Sequence, residues 1–84
     1  MSLKAKVYVT LKSGVLDPQG KTVLRALQTL GHQAVRDVRQ GKYFELNLAD
    51  GLPPAEARAL AESIAREVLT NTVIEEFRCE LEER

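Results

Sequence analysis

The residues with the most suggestive chemistry lie in a stretch that resembles a phosphate-binding loop. Gly14 is followed, after five residues, by Gly-Lys-Thr at positions 20–22. The phosphate-loop pattern G-x-x-x-x-G-K-[ST] has one residue fewer between its glycines. Such a loop offers successive backbone N–H groups to phosphate, whereas here Pro18 removes one donor and Asp17 adds a negative charge. The sequence therefore argues against nucleotide binding by this stretch.

The same stretch suits a turn from a strand into a helix. Asp17 is a favourable N-cap because its carboxylate can accept hydrogen bonds from amides in the first helical turn. Pro18 suits the first helical position, where no N–H is needed, and Asp-Pro-x-Gly also fits a type I turn. Gly20 would cost about 0.5–1 kcal/mol inside a helix, so we expect close backbone packing or an unusual φ there. Asp17, Pro18 and Gly20 are predicted to be structural turn residues.

No other set of residues has the spacing that catalysis or metal binding requires. His32 is the only histidine and Cys79 the only cysteine, and these two cannot supply the four ligands of a structural zinc site. His32 lacks a positioned partner for acid–base work, and Cys79 alternates with apolar residues, as a buried cysteine does. Glu75 and Glu76 are neighbours in a predicted strand and so face opposite sides. We predict no catalytic, cofactor-binding or metal-binding residues.

The first half of the chain predicts a strand, a helix and a hairpin. Apolar and polar residues alternate over residues 4–12, which indicates a half-buried strand. The helix that follows the turn is expected to end at Gly31. Residues 33–39 and 43–48 predict two strands joined by a tight turn at Gln40-Gly41. The apolar residues of the first of these strands are three apart instead of two, which indicates a bulge or a bend.

The second half predicts one more helix and one more strand. After Pro53-Pro54, apolar residues recur with a helical period from Ala57 to Val68, and residues 73–81 alternate as a strand. The order is β-α-β-β-α-β. With right-handed crossovers it predicts an α+β fold of the ferredoxin-like kind, a four-stranded antiparallel sheet with two helices on one face.

Composition narrows the classes of partner. The chain has 84 residues, of which 44% are apolar, and a domain of this size buries only about 60% of its unfolded surface. We therefore expect at least a homodimer, helped by an exposed edge strand. The net charge of +0 and the pI of about 6.6 argue against nucleic acid as a partner. No apolar run is long enough to span a membrane, no signal peptide is evident, and the single cysteine fits a reducing cytoplasm.

Two tyrosines are predicted on the uncovered face of the central strands. RRM domains use aromatic residues in such places to stack RNA bases, but the RNP motif is absent and Glu45 lies close to Tyr43. RNA binding is therefore not expected. Tyr8 and Tyr43 fit a polar sheet face or a contact with another protein, where tyrosine is enriched.

Four stretches of the chain together resemble the PurS family. They are Val7-x-Val9-x-Leu11-Lys12-x-Gly14-Val15-Leu16-Asp17-Pro18-Gln19-Gly20, Ala26-Leu27-x-x-Leu30-Gly31, Val38-Arg39-x-Gly41-Lys42 and Leu69-x-Asn71-x-Val73-Ile74-Glu75. The resemblance covers nearly the whole chain, and the order and spacing are specific. Thr72 departs from the proline that the family often has, and Phe77 from a common tyrosine.

The resemblance implies that residues 1–84 form a single PurS-like domain. It implies the role of the small, non-catalytic subunit of phosphoribosylformylglycinamidine synthase, a glutamine-dependent carbon–nitrogen ligase complex of de novo purine biosynthesis. The implied partners are a glutaminase subunit, which releases ammonia, and a large synthetase subunit. The complex would use ATP and Mg²⁺, while this subunit would bind no cofactor. The expected partner contacts are polar or aromatic groups outside the predicted core, namely Tyr8, Tyr43, Arg39 and Lys42.

A function of another class is also compatible with the predicted order of elements. ACT-type regulatory domains share the β-α-β-β-α-β order, dimerise, and bind amino acids near the first strand-to-helix turn. Binding of glutamine or glycine by the isolated protein would distinguish this alternative from the subunit role.

Overall fold

A computed structural model describes residues 2–83, which form three strands, two helices and a π-helical turn. The elements in chain order are β1 (Leu3–Leu11), α1 (Pro18–Thr29), β2 (Gly41–Asn47), α2 (Pro54–Ile64), the π-helical turn (Ala65–Leu69) and β3 (Glu75–Glu83). None of the helices in this part of the chain has the length and apolar character needed to cross a membrane.

The sheet is antiparallel, with β1 in the centre between β2 and β3. Val7 lies opposite Phe44 on one side and Cys79 on the other, while Tyr8 lies opposite Tyr43 and Arg78. Because successive side chains in a strand point to opposite faces, these two rows define an apolar face and a polar face. The predicted pairing of the two strands that carry Tyr8 and Tyr43 is confirmed.

The core lies between the apolar face of the sheet and α2, which packs over β1 and β3. Its buried apolar residues are Leu3, Ala5, Val7, Val9, Ala57, Ala61 and Ala65. The three alanines recur every four residues, so they form one stripe along the helix and allow it to approach the strands closely. Val7 and Val9 are the largest fully buried side chains, which makes this a thin core.

The predicted second strand is wrong, and with it the four-stranded sheet. Residues 33–39 contain no strand, and Gln40-Gly41 makes no hairpin turn but leads straight into β2. Long-range hydrogen bonds explain the difference. Arg39 Nη2 donates to the carbonyls of Leu11 and Lys12 (3.1 Å each), and Gln40 N donates to Asp17 Oδ2 (2.9 Å). These bonds hold the segment at the end of β1 and beside the start of α1, away from the outer edge of β2.

The prediction that both helices cover one face of the sheet is also wrong, because α1 extends beyond the end of the sheet. The molecule measures 50 × 28 × 14 Å. Nine residues of β1 span about 30 Å and twelve residues of α1 about 18 Å, so the two elements placed end to end account for the long axis. The radius of gyration is 16.3 Å, against about 12 Å for a compact chain of this length. We call residues 30–39, which follow α1, the return segment, and α1 together with it, residues 18–39, the finger.

Candidate protein-interaction surface

The turn between β1 and α1 is confirmed as a structural feature. Asp17 is buried and caps α1, with Oδ1 accepting from Gly20 N (2.8 Å), and Pro18 is the first helical residue. The other oxygen, Oδ2, accepts from Gln40 N, a bond that the sequence did not predict. These two amides, that of Gln40 first, hold the pKa of Asp17 below its usual value. The carboxylate therefore connects the return segment to the start of the helix. The amides of Gly20 and Gln40 donate to this carboxylate, so they are not free to donate to a phosphate.

Gly20 is needed because the backbone of the return segment passes directly over it. A Cβ at this position would lie 2.8 Å from Asp17 Oδ2 and closer still to the carbonyl oxygen of Val38. The φ of Gly20 is not among the positive values, so close packing, and not an unusual φ, explains the glycine. The predicted close backbone approach is confirmed.

A cavity of about 280 Å³ lies beside this turn, where an amino-acid ligand of the ACT type would be expected. Its polar groups are already paired with one another. Gln40 Nε2 donates to Gln19 Oε1 (3.0 Å), and Lys42 Nζ lies 3.4 Å from Glu75 Oε2. A zwitterionic ligand would have to break these pairs, so the cavity does not favour the amino-acid-binding alternative.

The polar face of the sheet has an aromatic centre. The rings of Tyr8 and Tyr43 lie side by side, 5.1 Å between centroids and tilted by 38°. Arg78 covers Tyr8, with Cζ 4.2 Å from the ring centroid. The Tyr8 hydroxyl donates to Glu80 Oε1 (3.2 Å). We call this surface the open sheet face. The remaining residues of this face are Lys4, Lys6, Thr10, Glu45, Asn47, Glu76 and Glu82.

Three ion pairs, two between strands and one along β3, neutralise most of the charges of the open sheet face. Lys4 Nζ lies 3.4 Å from Glu45 Oε1, Lys6 pairs with Glu82, and Arg78 pairs with Glu80. The hydrogen bond and charge of Glu82 raise the pKa of Lys6.

Tyr43 is held by a carboxylate of the same face. Its hydroxyl donates to Glu45 Oε2 (2.8 Å), and this bond, followed by partial burial, raises the pKa of Tyr43 to about 12. A face whose charges nearly cancel, with tyrosine and arginine at its centre, has the composition of a protein–protein contact. It lacks the excess of positive charge that nucleic acid requires.

The four predicted partner-contact residues are divided between two places. Tyr8 and Tyr43 are together at the centre of the open sheet face, as alternation predicted. Arg39 and Lys42 are not at a hairpin tip. Arg39 binds the carbonyls of Leu11 and Lys12, and Lys42 pairs with Glu75 at the end of the sheet, so both hold parts of this chain together.

The sequence interpretation missed Arg78, which completes the aromatic cluster. Its position could have been read from strand alternation, because Arg78 is one residue from the inward-facing Phe77 and Cys79 in β3. What alternation does not reveal is the register that places Arg78 opposite Tyr8.

The residues considered for catalysis are separate from one another. His32 is exposed, just past the end of α1. Cys79 is half-buried on the apolar face of β3, and burial raises the pKa of its thiol. Within residues 2–83, no group of three or more His, Cys, Asp or Glu side chains is arranged to hold a metal ion.

Comparison with known families identifies the fold and its relatives. The PurS family model, described as phosphoribosylformylglycinamidine (FGAM) synthase, matches residues 4–83. The chain belongs to the PurS family.

Curated PurS relatives agree with this over most of their length. The chain is 45% identical over 80 residues to the phosphoribosylformylglycinamidine synthase subunit PurS of Bacillus subtilis, covering 95% of this chain and 93% of the relative. It is 46% identical over 74 residues to that of Mycobacterium leprae, covering 88% and 89%.

Solved PurS structures match the sheet and the finger together. Thermus thermophilus PurS superimposes with a TM-score of 0.88 at 35% identity, covering 100% of this chain and 99% of that chain. A structure of PurLQS from Thermotoga maritima contains a chain that matches with a TM-score of 0.84 at 28% identity, covering 98% and 100%. The PurS matches therefore extend over residues 18–39 as well as the strands.

Proposed function

We propose that this protein is the small, non-catalytic subunit of phosphoribosylformylglycinamidine synthase, and that it assembles the glutaminase and synthetase subunits and supports ammonia transfer. The observation that carries the proposal is the PurS match over residues 4–83, supported by relatives described as subunits of that synthase. The PurLQS structure of the Thermotoga relative supports an assembly with two further subunits. The complex uses ATP and Mg²⁺, as the family resemblance implies, and a cytoplasmic location remains a prediction.

The chemistry of the described residues supports a role without catalysis. His32 and Cys79 each lack the positioned partner that acid–base or nucleophilic work requires. The Asp17 carboxylate is occupied by two backbone amides. What the sheet offers instead is the open sheet face, a polar and aromatic surface whose charges nearly balance. We therefore place the partner contact of this subunit on Tyr8 and Tyr43.

Reconstitution from purified subunits tests the assembly role. The protein alone should show no glutaminase, ATPase or synthetase activity. Added to the large synthetase and the glutaminase, it should restore glutamine-dependent amidine formation. With free ammonia in place of glutamine, leaving it out should matter much less, provided that the large subunit folds unaided, because the synthetase site then needs no ammonia delivery. Equal glutamine-dependent turnover with and without this protein would refute the role.

The contact surface is tested with a double variant, Tyr8→Ser with Tyr43→Ser. Removing two central aromatic residues from an interface typically weakens binding by at least about tenfold. Calorimetry with the purified large subunit should show this loss. His32→Ser is the matched control, because it removes an exposed ring that lies on the finger and away from the open sheet face. Unchanged affinity of the double variant, or an equal loss in the control, would place the contact elsewhere.

A further inference from the structure

The outer edge of β3 is long, regular and open. In the described part of the chain, β3 pairs with β1 on one side and with no strand on the other. The pairing runs without a bulge from Leu3 opposite Glu83 to Leu11 opposite Glu75. Exposed edge strands are commonly protected from further pairing by proline, lysine, a bulge or short length. β3 contains no proline or lysine and has nine residues. We call the outer side of Glu75–Glu83 the β3 edge.

The backbone of the β3 edge offers unused hydrogen-bonding groups. In an antiparallel pair, a strand bonds to its neighbour through every second residue. Lys12 N donates to the carbonyl of Ile74 (2.9 Å), so the even-numbered residues of β3 bind β1. The N–H and C=O groups of Phe77, Cys79 and Leu81 therefore point away from β1. Within residues 2–83 these groups make no backbone hydrogen bond outside the sheet, so they are available to an added strand.

One row of side chains along the β3 edge is mainly acidic. Glu76, Arg78, Glu80 and Glu82 lie on the open sheet face. Arg78 pairs with Glu80, and Lys6 pairs with Glu82. The carboxylate of Glu76 is exposed and has no ion pair among the residues that the structure describes. Opposite charges on neighbouring strands stabilise their pairing, so this row favours a strand with lysine or arginine on the same face.

The other row of side chains is mainly apolar. Phe77, Cys79 and Leu81 are half-buried on the face that α2 covers. Arg66 of the π-helical turn lies over Phe77, with Cζ 5.7 Å from the ring centroid. Apolar side chains of an added strand would extend this row and bury more of it. The complementary strand is therefore amphipathic, basic on one face and apolar on the other.

Two cavities lie at opposite ends of β3 and on opposite faces of the sheet. One of about 340 Å³ is lined by Tyr8, Glu76 and Arg78 on the open sheet face. Another of about 230 Å³ is lined by Leu3 and Glu83 on the apolar face. Successive side chains of a strand point to opposite faces, so a single added strand can place side chains in both. Cavities for alternate side chains give added strands their specificity.

A second copy of this chain is a poor occupant of the β3 edge. If two copies paired antiparallel with Cys79 opposite Cys79, Glu75 would lie opposite Glu83 and Glu76 opposite Glu82. Like charges directly opposite each other destabilise strand pairing. The acidic residues of β3 therefore select against this self-pairing and in favour of a basic partner.

We propose that the β3 edge binds an extended segment of the large synthetase subunit, which adds to the sheet as a fourth strand. The segment carries lysine or arginine on the face toward Glu76 and apolar residues on the face toward Phe77. The partner follows from continuity, because Arg78 and Glu80 belong both to β3 and to the open sheet face, where the partner contact is placed. This inference rests on the proposed function.

Hydrogen exchange tests whether the backbone of the β3 edge is used. In the isolated protein, NMR should show exchange at least about tenfold faster at Phe77, Cys79 and Leu81 than at Arg78 and Glu80, because only the latter amides bind β1. Adding the purified large subunit, with exchange over residues 75–83 read by mass spectrometry, should slow the fast amides at least about tenfold. A contact through Tyr8 and Tyr43 alone would leave them fast.

A charge reversal tests the chemistry of the partner. Glu76→Lys should raise the dissociation constant for the large subunit at least about tenfold, because it places a positive charge opposite the basic segment. Glu67→Lys is the matched control, since it makes the same charge change at an exposed residue of the π-helical turn. It should change the constant less than about twofold. Equal effects of the two variants would mean that only net charge matters, and would overturn the proposal.

Three further outcomes would overturn strand addition. Slow exchange at Phe77, Cys79 and Leu81 in the isolated protein would mean that the edge is already paired. Protection by the glutaminase and not by the large subunit would mean that the partner is wrong. If the large subunit binds and glutamine-dependent turnover is restored while these amides stay fast, the edge proposal fails and the subunit role stands. Absence of both binding and restored turnover would refute the subunit role and the edge proposal together.

Discussion

Gly20→Ala probes the contact that holds the finger in place. The new Cβ would lie less than 3.0 Å from Asp17 Oδ2 and from the carbonyl oxygen of Val38, a separation that real Cβ atoms essentially never show. Neither neighbour is the far end of a flexible side chain. The carbonyl belongs to the backbone, and the carboxylate is fixed by Gly20 N and Gln40 N. We therefore expect the return segment to separate from the helix start.

Two opposing contributions to the free energy of unfolding set the size of the effect of Gly20→Ala. Alanine is the better helix former by about 0.5–1 kcal/mol, whereas forcing atoms into a well-packed site typically costs about 1–3 kcal/mol. The clash should prevail, with a net loss of about 1–2 kcal/mol in the free energy of unfolding. In a domain of this size that corresponds to a fall in Tm of roughly 4–16 °C.

Thermal and urea unfolding, followed by circular dichroism, measure this loss. Protein concentration must be the same in all samples, because association makes Tm depend on concentration. Ala26→Gly on the exposed side of α1 is the matched control, since it reports helix propensity without a clash and should cost about 0.5–1 kcal/mol. If Gly20→Ala is instead more stable than wild type, by about the amount that Ala26→Gly loses, the backbone contact at Gly20 does not constrain the fold.

Three further predictions concern titratable groups. Because backbone amides lower the folded-state pKa of Asp17, its stabilising effect is present above about pH 4, the ordinary range of an unfolded aspartate. That effect is lost as the pH falls through the lower folded-state pKa. The free energy of unfolding of Asp17→Asn should therefore lack this part of its dependence on pH. An identical pH dependence in the variant and the wild type would contradict the assignment. Ultraviolet titration should find Tyr43 ionising near pH 12, and Glu45→Gln should lower that pKa. The raised pKa of the half-buried Cys79 should make it react slowly with thiol reagents at neutral pH until the protein is unfolded, and rapid labelling of the folded protein would show that it is accessible.

The parts of this protein that the sequence determined are those that depend on neighbours along the chain. Local interactions within a few residues explain the Asp17 cap, the helical position of Pro18 and the end of α1 just before Gly31. Alternation in β1 and β2 placed Tyr8 and Tyr43 on one face without knowledge of the fold. The residue types also led us to predict no catalytic, cofactor-binding or metal-binding residues. Family membership was evident from spaced stretches over nearly the whole chain.

The tertiary structure decided where the segments between these elements lie. Residues 33–39 have a strand-like composition. Gln40 and Arg39 nevertheless bind groups 23 to 28 residues away in the chain. A local sequence pattern cannot show that these distant bonds form in place of strand pairing. The register between β1 and β3 likewise brought Arg78 over Tyr8. The position of α1 follows from these same distant bonds. The apolar side of a helix predicts that the helix packs against another surface. Which surface that is depends on the three-dimensional arrangement of the whole chain.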